Sequence, residues 1–338
     1  MANIFDVASL SGVSKTTVSK VLNNQYGVKQ ETREKVLWAA KQLNYIPNQA
    51  AKNLVTNRSG VIGLLSQTNF KLSVFVDLSI YLQKYANDLG YSLVFANYNS
   101  NAALKDKYFN YFMGGAADGL IVFGSSENDI KYVENMQTAK YPFVVVENQY
   151  ENLEINNILI DNVQGSKDIV EHVISLGHKN IAYVAWTDDQ KISWDRLYGY
   201  KLALNRNSIP INQEFIQYTN LTNASVRAAI GRLMALKTRP SAICFFNDIM
   251  AFCAIEELNS LGYRIPEDIS VAGFDNFSGT FEFLENSIKL TSVQQPIEEI
   301  SKAAINLLVD NINHKDMNSN QLTFCTSLIK GNSCSLLK

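Results

Sequence analysis

The stretch Ile4–Asn23, IFDVASLSGVSKTTVSKVLN, constrains the chain most, because its apolar spacing suits two short helices around one tight turn. Asn3 is placed to cap the first helix, and Asp6 falls in the first turn, where the helix dipole favours a carboxylate. Val7, Ala8 and Val13 are expected to face inward, with Gly12 supplying the permissive backbone of the turn. Ser14 then caps a second helix, Lys15–Leu22, whose buried side carries Val18, Val21 and Leu22. The opposite side carries Lys15, Thr16, Ser19 and Lys20. Small hydroxyls and cations facing outward on a short helix suit entry into a DNA major groove.

A third helix is expected from about Gln30 to Asn44, with Val36, Leu37, Ala40 and Leu43 at helical spacing and Trp38 as partial core. It would close a three-helix head that ends at Pro47. Charge supports the same division. Residues 1–60 carry a net +5 and residues 61–338 a net −7, although the whole chain stands at −2. A basic head on an acidic body fits a nucleic-acid reader joined to something else.

The pattern D-V-A-x-x-x-G-V-S-x-x-T-V-S-x-V-L-N resembles the helix-turn-helix of LacI/GalR-family transcriptional regulators. The resemblance continues through T-R-E-K-V (Thr32–Val36) and L-N-Y-x-P-N (Leu43–Asn48) and covers nearly the whole chain. It implies that Lys15, Thr16 and Lys20 reach base edges, while Ser14, Thr17, Ser19 and Asn23 hold phosphates and the register. The family usually caps its third helix with Ser or Thr where this chain has Lys29, a departure expected to cost about 1 kcal/mol of local stability unless the charge gains a phosphate contact.

Asn48–Val55 is a further helical pattern, too short to persist alone in water, where roughly 12–15 residues are needed. In the family this is the hinge helix, paired with its dimer mate in the minor groove. Asn48, Ala51 and Leu54 stand at its DNA-facing positions, with Leu54 as the apolar wedge that kinks the central base step. Lys52 replaces a common arginine and offers a point charge in place of a fork.

From Gly60 the texture changes to short apolar strands alternating with helices. The strands are Val61–Leu65, Ser92–Ala96, Gly119–Phe123, Phe143–Val146 and Asn157–Ile160. A second series follows: Ile181–Ala185, Ala242–Phe246, Ser270–Phe274 and Leu290–Val293. Val74–Leu89 and Val163–Leu176 are helices stopped by Gly90 and Gly177. Continuous apolar strands followed by amphipathic helices mean parallel sheets covered on both faces. The expected architecture is an all-α head on an α/β body of two doubly wound lobes. By resemblance the body is like a type I periplasmic binding protein. The division is then 1–46 for the head, 47–59 for hinge and linker, and 60–338 for the effector and dimerisation body. The lobes divide at about 60–161 with 293–320, and about 162–292 with 321–338; no periodicity shows these crossings.

Ligands of such sheets lie beyond the strands' carboxyl ends, in the cleft. The motif R-L-Y-G-Y-K-x-A-L places Arg196 there by resemblance, where its fork suits adjacent hydroxyls or a carboxylate. In F-N-D-x-M-A, Asn247 is expected to touch the ligand and Asp248 to cap the helix. Asp275, in I-S-V-A-G-F-D-N, is placed to accept from two vicinal hydroxyls, and Gln295 either touches the ligand or fixes the hinge. Lys71 and Ser73 replace an N-P-F-F pattern of the family, opening room and offering a cation to an anionic ligand. Glu147 stands where relatives usually carry Asp and is placed to accept a ligand hydroxyl, and Trp194 offers a ring either for stacking on a sugar or for packing. His178, in G-H-K-N-I, is expected to be structural.

The polar N-terminus enters a helical pattern at once, so no signal peptide is expected, and no apolar run reaches the ~18 residues of a membrane span. The four cysteines lack CxxC spacing and read as reduced and cytoplasmic, with no metal site. No nucleophile elbow, phosphate loop or dinucleotide fingerprint is present, so an enzyme and a cofactor are not expected. The chain reads as a homodimeric, DNA-binding transcriptional regulator that recognises a pseudo-palindromic operator. It would repress carbohydrate-use genes under a sugar-like effector; the alternative is a global catabolite regulator controlled by a phosphorylated carrier protein.

Overall fold

A computed structural model describes residues 2–23, 25–46, 58–67, 74–99, 101–124, 127–150, 152–187, 191–276, 288–314 and 319–337. The hinge positions Asn48, Ala51 and Leu54, and the loop positions Lys71 and Ser73, lie outside these residues. The chain separates into two compact units, Met1–Ser59 and Gly60–Lys338.

The first unit is built on α1 (Ile4–Ser11), α2 (Lys15–Leu22) and α3 (Gln30–Gln42). Asn3 accepts from the backbone N–H groups of Phe5 and Asp6, and the Asp6 carboxylate accepts from Asn3 N at 2.8 Å, a reciprocal capping box. Gly12 closes α1 in the left-handed conformation, φ 69°. Ser14 Oγ accepts from Thr17 N and starts α2, whereas Lys29 gives α3 no side-chain cap. The core is Val7, Val18, Val21, Val36, Ala39 and Ala40. Leu37 and Trp38, expected in this core, are instead 49% and 55% exposed. The inward stripe of α3 runs through positions 36, 39, 40 and 43, and residues 37 and 38 lie one and two helical steps away from it.

In the second unit the elements alternate. They are β1 (Val61–Ser66), α4 (Val74–Asp88), β2 (Ser92–Asn97), α5 (Ala102–Tyr111), β3 (Gly119–Phe123), α6 (Ile130–Thr138), β4 (Phe143–Val146) and β5 (Asn157–Ile160). Next come α7 (Asn162–Ser175), β6 (Ile181–Trp186), α8 (Lys191–Arg206), β7 (Ile216–Thr219), α9 (Asn223–Met234), β8 (Ala242–Phe245) and α10 (Asp248–Ser260). The chain closes with β9 (Ser270–Ala272), β10 (Ser292–Gln294), α11 (Ile297–His314), β11 (Gln321–Phe324) and β12 (Ser327–Ile329).

Two parallel sheets result, ordered β11-β5-β4-β3-β1-β2 and β7-β6-β8-β9. Runs such as GLIVF and FVVV are buried along their whole length because helices cover both faces. On the first sheet, α4 and α11 cover one face and α5 with α6 the other. On the second, α9 and α10 oppose α7 and α8. The expected strand Leu290–Val293 shifts to Ser292–Gln294 and pairs antiparallel with β12 in a separate two-stranded sheet. β11 pairs in parallel with β5, Gln321 opposite Asn157, so residues 321–324 belong to the first sheet and not to the second lobe. The third crossing therefore lies past Phe324 and not near Asn320.

Candidate nucleic-acid interface and effector cavity

On the first unit, Ser14, Lys15, Thr16, Lys20 and Asn23 are exposed, and Thr17 and Ser19 are half-buried. Several are pre-positioned. Ser14 Oγ and Thr17 Oγ1 are 2.9 Å apart, and Asn23 Nδ2 donates to the Ser19 carbonyl at 2.9 Å. Lys15 Nζ sits 4.8 Å from the ring centre of Phe5, an exposed aromatic that fixes where the cation stands. Phe5 was not singled out by sequence, because its role depends on the angle between α1 and α2. Arg33 ties α3 to the end of α2 by donating to the carbonyls of Val21 and Gln25.

In the second unit the motif residues converge on Arg196. It is 1% exposed and held on every side. Nε donates to Asn162 Oδ1 at 2.9 Å, Nη1 to the Phe246 carbonyl at 2.7 Å, and Nη2 lies 3.1 Å from Asp275 Oδ1. The guanidinium also stacks on Phe274, 3.6 Å from the ring centre, with Phe246 at 4.7 Å. Gln295 Nε2 donates to the same Asp275 Oδ1 at 2.7 Å, while its Oε1 is buried without a hydrogen-bond partner. Burial pushes the Asp275 carboxyl up, against the pull of Arg196 and Gln295.

The cap of α10 falls to Asn247 and not to Asp248. Asn247, expected as the ligand contact, is the cap of α10 and accepts from Met250 N at 3.0 Å. Asp248, expected as the cap, instead accepts from Ser292 Oγ at 2.6 Å and anchors β10. An Asx cap needs a β-region residue just before the helix, and Asn247, at φ −148° and ψ 170°, is that residue.

A cavity of about 250 Å³ opens beside this cluster, beyond the carboxyl end of β5. Its walls are Leu159 and Ile160 of β5, Asp161, the first residues of α7 (Asn162, Val163), the first turns of α8 (Lys191, Ile192, Asp195), Thr323 of β11 and Glu147 after β4. Asn162 joins wall and hub, because the same side chain that lines the cavity accepts from Arg196. Glu147 has a left-handed backbone, φ 68°. Burial lifts its carboxyl to about 7, with Arg196 opposing the shift and Asp275 adding to it. Trp194 is 57% exposed and does not line the cavity. Asp161, Asn162, Lys191 and Asp195 were not read as site residues from sequence, because none carries a local motif. His178 bridges Ser241 Oγ and the Ser335 carbonyl at 2.8 and 3.0 Å, tying the C-terminal segment to the second sheet. Among the described residues no helix is long and apolar enough to cross a membrane.

Residues 3–48 match the family described as bacterial regulatory proteins, lacI family, and residues 170–334 match a periplasmic binding protein-like domain. The HTH-type transcriptional repressor PurR of Aliivibrio fischeri (strain ATCC 700601 / ES114) is 31% identical over 94% of this chain and 93% of its own length. The probable HTH-type transcriptional repressor ExuR of Bacillus subtilis (strain 168) is 34% identical over 89% of each. Among solved structures, the lac repressor dimer bound to operator and the anti-inducer ONPF superposes with a TM-score of 0.85 at 28% identity, covering 99% of both chains. The transcriptional regulator CelR in complex with cellobiose gives 0.74 at 26% identity, covering 98% of this chain and 100% of its own.

Proposed function

The chain belongs to the LacI family of bacterial regulatory proteins, and from that premise we propose that it represses carbohydrate-use genes as a homodimer on a pseudo-palindromic operator. In this reading Lys15, Thr16 and Lys20 read base edges, and Ser14, Thr17, Ser19 and Asn23 hold phosphates. Residues 1–46 act as the head and 60–338 as the effector body. Between them, the hinge of 47–59 uses Asn48 and Ala51 for close approach and Leu54 as the wedge.

The observation that carries this reading is the outward face of α2, which presents two lysines and a threonine to solvent on a helix whose opposite face is core. A small sugar-like effector in the cavity beside Arg196 supplies the control. Support comes from the polar lining, from the contacts joining that lining to Arg196, Asp275 and Gln295, and from the cellobiose complex of CelR. Differential affinity for two lobe arrangements would bias the hinge and hence operator binding. The relatives are named as repressors, and no observation favours the carrier-protein alternative.

Selection of binding sites from a random duplex pool by the purified full chain tests the proposal. The expected product is two related half-sites about a dyad. Recovery of single, non-symmetric sites would overturn the dimeric reading, and recovery of no sequence preference would overturn operator recognition.

A further inference from the structure

The second unit begins at Gly60, and the chain enters it through a sharp turn. Gly60 stands at φ 69°, and nothing lies within 4 Å of where a Cβ would be, so the glycine serves the backbone and not the packing. The turn divides the residue between two neighbours. Its carbonyl accepts from Ser92 N of β2 at 2.9 Å, on one side of β1. Its N–H is turned to the other side and donates to Asp118 Oδ2 at 2.9 Å, just before β3. In an extended strand the N–H and C=O of one residue serve the same neighbour, so this N–H has left the ladder for a side chain.

Asp118 is itself held. Its backbone N–H donates to the Val61 carbonyl at 2.8 Å, so residues 60–61 and 118 grip each other through two bonds. It follows a wide helical turn, Phe112–Ala116, which is fixed from two sides. Phe112 is buried over Gly63 of β1, where a Cβ would stand 2.9 Å from the ring. Tyr141, between α6 and β4, donates its hydroxyl to the Ala117 carbonyl at 2.9 Å, with the Phe112 carbonyl at 3.3 Å. A carboxylate on a fixed turn is a firm acceptor, since charge-assisted hydrogen bonds are roughly twice as strong as neutral ones.

We propose that Asp118 is a positioning residue for operator binding: its carboxylate fixes the direction in which the chain leaves the body at Gly60, and so the separation at which two heads meet their half-sites. The inference rests on the reading of the chain as a dimer on a pseudo-palindromic operator. The role is indirect. Losing the carboxylate leaves each head's own contacts intact and loosens the distance between heads. One base pair added at the dyad moves the half-sites apart by about 3.4 Å and rotates them by roughly a tenth of a turn. A fixed exit rejects that change and a loose one tolerates it.

The test is fluorescence anisotropy of the full chain on the selected operator and on duplexes with one base pair added to or removed from the dyad. A duplex with a single half-site reports the head alone. Wild type should bind the altered spacings about 30-fold or more weakly, and Asp118→Ala should narrow that gap to about five-fold or less with single-half-site binding unchanged. Asp118→Asn keeps an oxygen that accepts from Gly60 N and should restore most of the gap. Gly60→Ala meets no clash yet disfavours the turn, so it should act like Asp118→Ala, and it carries the test if Asp118→Ala fails to fold. General loss of stability lowers binding to every duplex alike and leaves the spacing profile in place. A wild-type spacing profile in either Asp118→Ala or Gly60→Ala overturns the inference and leaves the operator reading standing. So does an Asp118→Asn protein that behaves as Asp118→Ala. A wild type indifferent to spacing overturns the dimeric reading, and the inference with it.

Discussion

Arg196 shows how much of one residue's role is set by partners far away in sequence. Its fork closes on Asn162, 34 residues earlier, on the Phe246 carbonyl, 50 residues later, and on Asp275. Truncating one member of a buried pair leaves the other charge without compensation, which costs about 3–5 kcal/mol. Arg196→Ala should therefore lower the unfolding free energy of the body, read from urea denaturation, by that scale, and Arg196→Lys should recover only part, since an ammonium lacks the planar fork that reaches three acceptors at once. A loss under about 1 kcal/mol would mean the cluster is dispensable to the fold. His178 carries a second prediction with a defined sign. Burial holds its ring below the usual 6.5, and its ring nitrogens are engaged with Ser241 and the Ser335 carbonyl. A folded value below the unfolded one means the stabilisation is complete above about pH 6.5 and is lost as pH falls. NMR titration should show the His178 ring protonating below 6.5, with the melting temperature falling over the same interval; a ring titrating above 6.5 would refute this. At this scale the motifs led to a cluster of Arg196, Asp275 and Gln295 that stands behind the cavity wall and not in it, and they did not tell which of Asn247 and Asp248 caps α10. That choice depends on Ser292, 44 residues away, giving Asp248 another partner.

The crossing of α7 and α8 sets the geometry of both cavity and hub. Gly199 permits it, since a Cβ there would stand 2.4 Å from the Val163 carbonyl oxygen and 2.8 Å from Ser166 Cβ. Gly199→Ala must push α8 away from α7, and with it Arg196 from Asn162. Overpacking of this kind costs about 1–3 kcal/mol. Effector affinity should fall together with thermal stability in that variant, while the α2 face, in the other unit, keeps its operator contacts. A variant as stable as the parent would show that α8 shifts freely. The legibility of elements follows the same physics. Strands buried on both faces, such as Gly119–Phe123 and Phe143–Val146, announce themselves as apolar runs. β7, β11 and β12 were not legible. β7 and β11 lie at sheet edges, β12 belongs to a two-stranded pair, and their sequences IQYT, QLTF and SLI are partly polar or too short to carry a period. Helix caps in the head were legible because Asn3, Ser14 and Gly12 act within a few residues of themselves.

The two units carry opposite charge, +5 over residues 1–60 and −7 over the remainder, and that asymmetry bears on how the molecule meets DNA. An acidic body adds nothing to attraction for phosphates, so non-specific affinity has to come from the head and hinge. Lys15 and Lys20 supply cations on the α2 face, and Asn23 supplies a neutral donor at its end. These roles separate experimentally. A base-edge contact mutated to alanine costs about 1–3 kcal/mol and relaxes specificity at one position, whereas a phosphate contact weakens all sequences alike. In a two-fold dimer each head reads one half-site, so Lys20→Ala should relax a symmetric pair of operator positions. Asn23→Ala should lower affinity for every variant operator equally. Fluorescence anisotropy against a set of singly substituted duplexes measures both. Wild-type affinity should also fall steeply with salt, by about 10³–10⁵ between roughly 50 and 200 mM if the dimer covers 6–10 phosphates. If Lys20→Ala weakens all duplexes uniformly and makes the salt dependence shallower by about two in log–log slope, the lysine serves the backbone, and sequence reading shifts to Lys15 and Thr16.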